Sequence, residues 1–283
     1  MSEPIQPRRR KLSVRAKLSF ASGALQEATV SAGGIVTIIF YNQVLGVSPA
    51  LAGTAFLIAS VVDAISDPLI GSISDRFRSV WGRRLPFMFA SALPIAVSFY
   101  FLYQPVEGLS ETGYFIWLVT FLILLRLSQT FYLIPHDALG AELTDDYEER
   151  SLIFAYNSEA VSLLSILSAS VVPIVIFPTT PGVDNGLLNE AGYFVLAVTG
   201  SITVFFSVVL CSLGMIHQLP YLHLAQRVGE SKIPFVLENK DVLHKIGVTS
   251  GSVEKRIANA SKEATFLLAD VEVVATYELY NIN

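Results

Sequence analysis

Residues 28–62 contain no Asp, Glu, Lys, Arg or His, and apolar runs of comparable length recur through most of the chain. A bilayer core about 30 Å thick takes roughly 20 predominantly apolar residues per helix, so each such run is a candidate membrane span. Turn chemistry at Leu45-Gly-Val-Ser-Pro-Ala50 interrupts the first run and divides it into helices over 22–45 and 51–75. Further spans are predicted over 85–104, 114–134, 152–177 and 191–216. They are separated by Gly108-Leu-Ser-Glu-Thr112, by the acidic stretch 142–149 and by Pro178-Thr-Thr-Pro-Gly182. Barrel strands would alternate apolar and polar residues over about ten positions, whereas these runs are apolar on all sides. The chain therefore reads as an all-α membrane protein with six transmembrane helices.

Composition agrees with that reading. Hydrophobic residues make up 52% of the 283 and charged residues 15%, where a soluble domain has about 25% charged residues. The mean hydropathy is +0.55. A disordered chain would be polar and highly charged, and the single cysteine, Cys211, cannot form an intrachain disulfide. A net charge of −5 argues against nucleic acid as a partner, since neutralising phosphates needs clustered Lys and Arg. The basic residues instead gather in Arg8-Arg-Arg-Lys11, Arg15 and Lys17, and again in Arg76, Arg78, Arg83 and Arg84. The apolar run after the first cluster is too long for a signal peptide and lacks a plain cleavage site. Positive charge on cytoplasmic loops then puts both termini in the cytoplasm of a cell with the protein in its inner membrane. Three segments are expected: a basic cytoplasmic N-terminus over 1–20, six helices over 21–216, and a polar cytoplasmic tail over 217–283.

Ionisable groups within a span cost at least about 2.5 kcal/mol each, so each is a functional-site candidate that needs a partner. They are Glu27 in the first helix, Asp63 and Asp67 in the second, Arg126 in the fourth and Glu159 in the fifth. Asp63 and Asp67 are four residues apart, which stacks their carboxylates on one helix face, where they repel unless a cation or an arginine lies between them. Two readings stay open: a structural Asp–Arg126 salt bridge, and a site for sodium or a proton. Pro68 removes a backbone donor next to these carboxylates, which frees the carbonyl of Ala64 and is expected to kink the helix there. Arg126 could alternatively hold an anionic group of a substrate, and Glu159 could either contact substrate or sit as a cap near the entrance of its helix. His136 beside Asp137 is the nearest approach to a catalytic pairing; no Ser/His/Asp set and no metal-binding His-x-x-Glu grouping occurs on any helix, so no enzyme is expected.

The second helix ends in Gly71-Ser-Ile-Ser-Asp75-Arg76, and the following loop closes with Gly82-Arg83-Arg84-Leu-Pro86. A carboxylate at a helix C-terminus opposes the helix dipole, so Asp75 requires nearby arginines, an arrangement suited to a breakable cytoplasmic latch.

Taken in order, Asp63-Ala-Ile-Ser-Asp67-Pro68-Leu-Ile-Gly71, Asp75-Arg76 and Gly82-Arg83-Arg84-Leu-Pro86 resemble the glycoside-pentoside-hexuronide:cation symporters, the melibiose-permease-like branch of the major facilitator superfamily. Lys17-Leu-Ser19, Leu45-Gly-Val-Ser48, Ile134-Pro-His-Asp-Ala-Leu-Gly-Ala-Glu-Leu143 and Asp145-Asp-Tyr-Glu-Glu-Arg150 extend the likeness, the last two being expected between helices four and five. The resemblance covers roughly residues 12–225. It implies a half of a major facilitator bundle, with Asp63 and Asp67 as ligands of a coupling cation and with Asp75, Arg76, Gly82, Arg83 and Arg84 as a gating loop. Glu27, Arg126, Asn157 and Glu159 are the substrate-binding candidates. The sequence also departs from that branch: Ala28 stands where a helix-one Asp contacts sugar, Asn157 near the place of a helix-five Arg, and Leu133 near that of a helix-four Asp.

The activity so implied is cation-coupled symport of a sugar-like or glycoside-like solute by alternating access, with sodium or a proton as coupling ion, no other cofactor, and the solute and the bilayer as partners. Only the first six-helix half of such a transporter is recognisable here. The expectations are thus a truncated N-terminal half, or a half-transporter that pairs with itself or with a missing C-terminal half. Two rival readings are a membrane fragment that does not transport and a carrier of an amphiphilic, lipid-like solute.

Overall fold

A computed structural model of the chain describes residues 11–144, 146–179, 185–220 and 222. The arginines at 8–10, Asp145 and nearly all of the expected tail lie outside the described residues. Among those described there are seven α-helices and no strand: α1 (Val14–Ala21), α2 (Ala24–Ile39), α3 (Pro49–Arg76), α4 (Leu85–Tyr103), α5 (Glu111–Glu142), α6 (Tyr147–Val175) and α7 (Glu190–Met215). Six stretches are long and apolar enough to cross a membrane, with α1, α2 and a π-helical turn at Phe40–Val44 combining into the first.

The ends are set by local chemistry. Side chains of Ser13, Ser110, Asp146 and Asn189 cap α1, α5, α6 and α7 by accepting hydrogen bonds from first-turn amides. Pro49 and Pro86 sit in the first turns of α3 and α4, where a missing N–H is harmless. Gly46, Gly82 and Gly108 take φ near +75° in the connections, a region open to glycine.

Helical structure starts earlier than the apolar run does. It begins at Val14, inside the segment expected as a basic N-terminus, and Lys17 lies within α1. The motif over 134–143, expected between helices, belongs almost wholly to α5, which runs through Pro135 to Glu142. The break before α6 then shrinks to a few residues. In each case the helix continues past the apolar stretch through polar residues that find partners at its end.

Within the first span the helix is interrupted at Ser22–Gly23. The carbonyls released there are taken up from α5 and α7: Ser207 Oγ donates to Ser22 O at 2.7 Å, Cys211 Sγ donates to Phe20 O at 3.6 Å, and His136 Nε2 lies 3.2 Å from Phe20 O. A membrane interior offers no water to free backbone groups, so these side chains are what permits the break. Gly23 is needed for space, because a Cβ there would sit 2.0 Å from Tyr132 Oη. His136 stacks on Phe20 with ring centroids 3.9 Å apart, so the imidazole considered for catalysis is a buried packing element.

α4 lies between α5 and α7; α3 packs on the far side of α5, and α2 packs against α7 and α6. α3 and α6 therefore end the arrangement and bury least of their surfaces. Leu57, Val61, Ile65 and Leu69 form an exposed stripe on α3, as do Leu163, Ile166, Val171 and Ile174 on α6.

Candidate functional site

The α3–α5 contact brings together the ionisable residues of two helices. Asp63 and Asp67 are one turn apart on α3, and Arg126 and Thr130 are one turn apart on α5. The two pairs meet rung to rung. Arg126 Nη1 donates to Asp63 Oδ2 at 3.3 Å, and Thr130 Oγ1 donates to Asp67 Oδ1 at 2.9 Å. α3 continues unbroken through Pro68, so both carboxylates keep their common face.

The Asp63–Arg126 pair is long and partly accessible, with the arginine side chain 41% and the aspartate 23% exposed. Asp63 Oδ1 is buried and has no hydrogen-bond partner among the described residues. The guanidinium thus pairs with Asp63 while Asp67 is held by the neutral Thr130 hydroxyl, which leaves an unmatched negative charge and an unused oxygen ligand on the same face. Thr130 was missed by the search for charges; its signal was the four-residue step from Arg126, the same step that separates the aspartates.

A second ionic cluster joins the ends of α3, α4 and α5. Arg84, only 7% exposed, pairs with Asp75 and with Glu142 and donates to Ser74 Oγ at 2.8 Å. Arg83 pairs with the same Glu142 at 2.8 Å. Gly82, with φ 77°, turns the chain so that both arginines point back to the helix ends. Asp75, Gly82, Arg83 and Arg84 are accordingly brought together, while Arg76 is exposed. Glu142 is the centre of the cluster and was not singled out, because it lay in a stretch read as a connection. Nearby in sequence, Lys17 Nζ of α1 pairs with Glu149 Oε2 of α6 at 2.8 Å, and Glu149 also accepts from the amide of Leu12.

The remaining candidates lie elsewhere. Glu27 is half-buried on α2, Asn157 is buried on α6 with its Oδ1 lacking a partner, and Glu159 is exposed on α6. α2 and α6 pack together, so these three belong to a different helix pair from Asp63 and Arg126. Glu159 is twelve residues into α6, about 18 Å along it, which excludes a capping place at the helix entrance.

Sequence comparison adds four findings. The profile of a family described as MFS/sugar transport protein matches residues 19–244. The Escherichia coli inner membrane symporter YicJ is 32% identical over 193 residues, covering 66% of this chain and 40% of that protein. The sodium-dependent lysophosphatidylcholine symporter 1 of Gallus gallus is 31% identical over 198 residues, or 67% and 37% of the two chains. The isoprimeverose transporter of Lactiplantibacillus pentosus is 28% identical over 160 residues, or 56% and 32%. The chain spans about a third of the length of the curated relatives it matches.

Proposed function

Since the chain belongs to the MFS/sugar transport protein family, and its relatives include symporters, we propose that it carries the cation-coupling site of a secondary transporter for a glycoside-like solute. The observation that carries this reading is the rung of Asp63 and Asp67 against Arg126 and Thr130. Of the two carboxylates, Asp63 pairs with the guanidinium and Asp67 with the Thr130 hydroxyl. A monovalent cation entering between them meets the free Asp63 Oδ1, displaces Arg126 and cancels the excess charge. Hard cations favour such oxygen ligands. Sodium is the preferred ion, supported by the sodium-dependent relative; a proton on Asp63 would perform the same neutralisation.

Displaced Arg126 is then free to turn toward solute, which is how ion and solute occupancy become coupled. The substrate surface is assigned to Glu27, Asn157 and Glu159 on the α2–α6 pair. Asp75, Arg83, Arg84 and Glu142 form the latch at the cytoplasmic end, with both termini on that side of the inner membrane.

Thermal unfolding of the full chain in lipid nanodiscs tests the coupling site. Sodium chloride should raise the midpoint saturably over potassium chloride of equal ionic strength, and Asp63→Asn should abolish the difference. Equal stabilisation by both salts, with no gain on acidification, would overturn the reading. A second reading, in which the solute is an amphiphile, is supported by the lysophosphatidylcholine symporter's likeness. Sodium-dependent binding of radiolabelled glycoside and of lysophospholipid, measured in parallel, separates the two.

A further inference from the structure

At the end of the bundle opposite the arginine latch, the π-helical turn after α2, the C-terminus of α4 and the N-termini of α5 and α7 enclose a pocket of about 270 Å³. Its walls include Tyr103, Tyr114, Tyr193 and Phe194, and its charged groups are Glu107 and Glu190. We propose that this pocket binds an organic ammonium group, at a site separate from the Asp63–Arg126 rung.

Three observations converge on that chemistry. First, the charge is of one sign. Residues 18–75, 85–125 and 151–226 contain no Lys or Arg, and these stretches supply every wall of the pocket. The nearest arginine along α5, Arg126, is twelve residues from Tyr114, about 18 Å away along the helix. A third carboxylate at this end, Glu111, accepts from the Ser48 amide at 3.0 Å, whereas Glu107 and Glu190 face the pocket with no basic side chain near them in sequence.

Second, the rings are held in place before any ligand arrives. Tyr193 Oη donates to Leu187 O at 2.7 Å and Tyr103 Oη donates to Gly33 O at 2.9 Å. Phe40 stacks on Tyr193 with centroids 4.1 Å apart. Aromatic surfaces attract diffuse cations through the ring quadrupole, most strongly where water is excluded.

Third, the remaining lining is unsuited to a metal ion. Calcium needs six to eight oxygen ligands and magnesium a near-ideal octahedron, while the lining offers two carboxylates beside five aromatic side chains. An alkylammonium suits both the rings and the two carboxylates, and the volume falls just below the roughly 300–1,000 Å³ of drug-sized sites, as fits a small head group.

The ammonium could come from a soluble amine or from a lipid head group. Tetramethylammonium chloride is the probe. Titrated against the full chain in phosphatidylglycerol nanodiscs at constant ionic strength, it should give a saturable rise in the thermal midpoint that potassium chloride does not. Glu107→Gln with Glu190→Gln should weaken it by at least about tenfold, Phe194→Leu by a smaller factor, and Glu111→Gln should leave it unchanged. The Glu111 variant controls for general loss of fold. If tetramethylammonium stabilises no more than potassium does, or binds the double variant as tightly, the proposal is wrong. Repeating the titration with phosphatidylethanolamine in the disc assigns the source: competition marks a lipid head group, and an unchanged affinity marks a soluble amine. Asp63→Asn should bind tetramethylammonium normally, which separates this site from the coupling site.

Discussion

At the residue scale, partners decide what each charged or small side chain does. Thr130 adds one hydrogen bond to Asp67, and Thr130→Val should lower the apparent sodium affinity about five- to tenfold, in line with a neutral–ionic hydrogen bond, without changing the fold. A sodium titration of the thermal midpoint reads this out, and unchanged affinity would remove Thr130 from the site. Gly23 is under a different constraint. Gly23→Ala places a Cβ 2.0 Å from Tyr132 Oη and should cost roughly 1–3 kcal/mol as overpacking. Pairing it with Tyr132→Phe removes the clashing oxygen and should recover part of the loss in chemical denaturation. A double variant no more stable than Gly23→Ala alone would contradict that account. Legibility at this scale was uneven. Asp63, Asp67 and Arg126 stand out because charge within an apolar run is rare, but Thr130 and Ser74 are neutral, and the one mark on Thr130, its four-residue step from Arg126, gains meaning only once a facing helix is known.

At the scale of elements, the apolar runs specified six spans because apolar length is what a bilayer selects. They did not specify where the helices end. α5 continues to Glu142 and α1 starts at Val14, because capping and ion pairs at the helix ends sustain helix beyond the apolar stretch. The break at Ser22–Gly23 was also hidden, since the groups that satisfy it are almost two hundred residues away in sequence on α7. Glu142 shows the consequence of long helices. By reaching Arg83 and Arg84 it fastens α5 to the α3–α4 connection. Glu142→Gln leaves the buried Arg84 with Asp75 as its one carboxylate, and should loosen the connection. Trypsin should then cleave at Arg76, Arg78 or Arg83 several times faster in the variant; an unchanged cleavage rate would show that Asp75 alone holds Arg84.

At the scale of the whole molecule, apolar surface lies outside and ionic groups gather in three levels: the latch, the mid-span rung and the carboxylate-lined pocket. The outward stripe of α6 is the most thinly covered by protein. Ile166→Asp on that stripe should raise the cost of inserting α6 by at least about 2.5 kcal/mol, detectable as reduced membrane integration in a translocation assay, whereas Ile166→Leu should integrate normally. Equal integration of both would mean that α6 is not held at bilayer depth.

The three charges of the rung also have an electrical meaning. Two carboxylates and one guanidinium leave a single negative charge when no ion is bound, and none when sodium or a proton is present. In the proposed cycle the loaded site therefore crosses the transmembrane field without electrical work. The empty site does not: each unit of charge moved through the full field is worth about 2.3 kcal/mol per 100 mV. An interior-negative potential would push the vacant, negatively charged site outward, where the ion is abundant. In the proposed cycle the membrane voltage then acts on the return stroke, and Asp67→Asn, which leaves the empty site neutral and the sodium-loaded site with one positive charge, should move the voltage dependence from the return stroke to the loaded one.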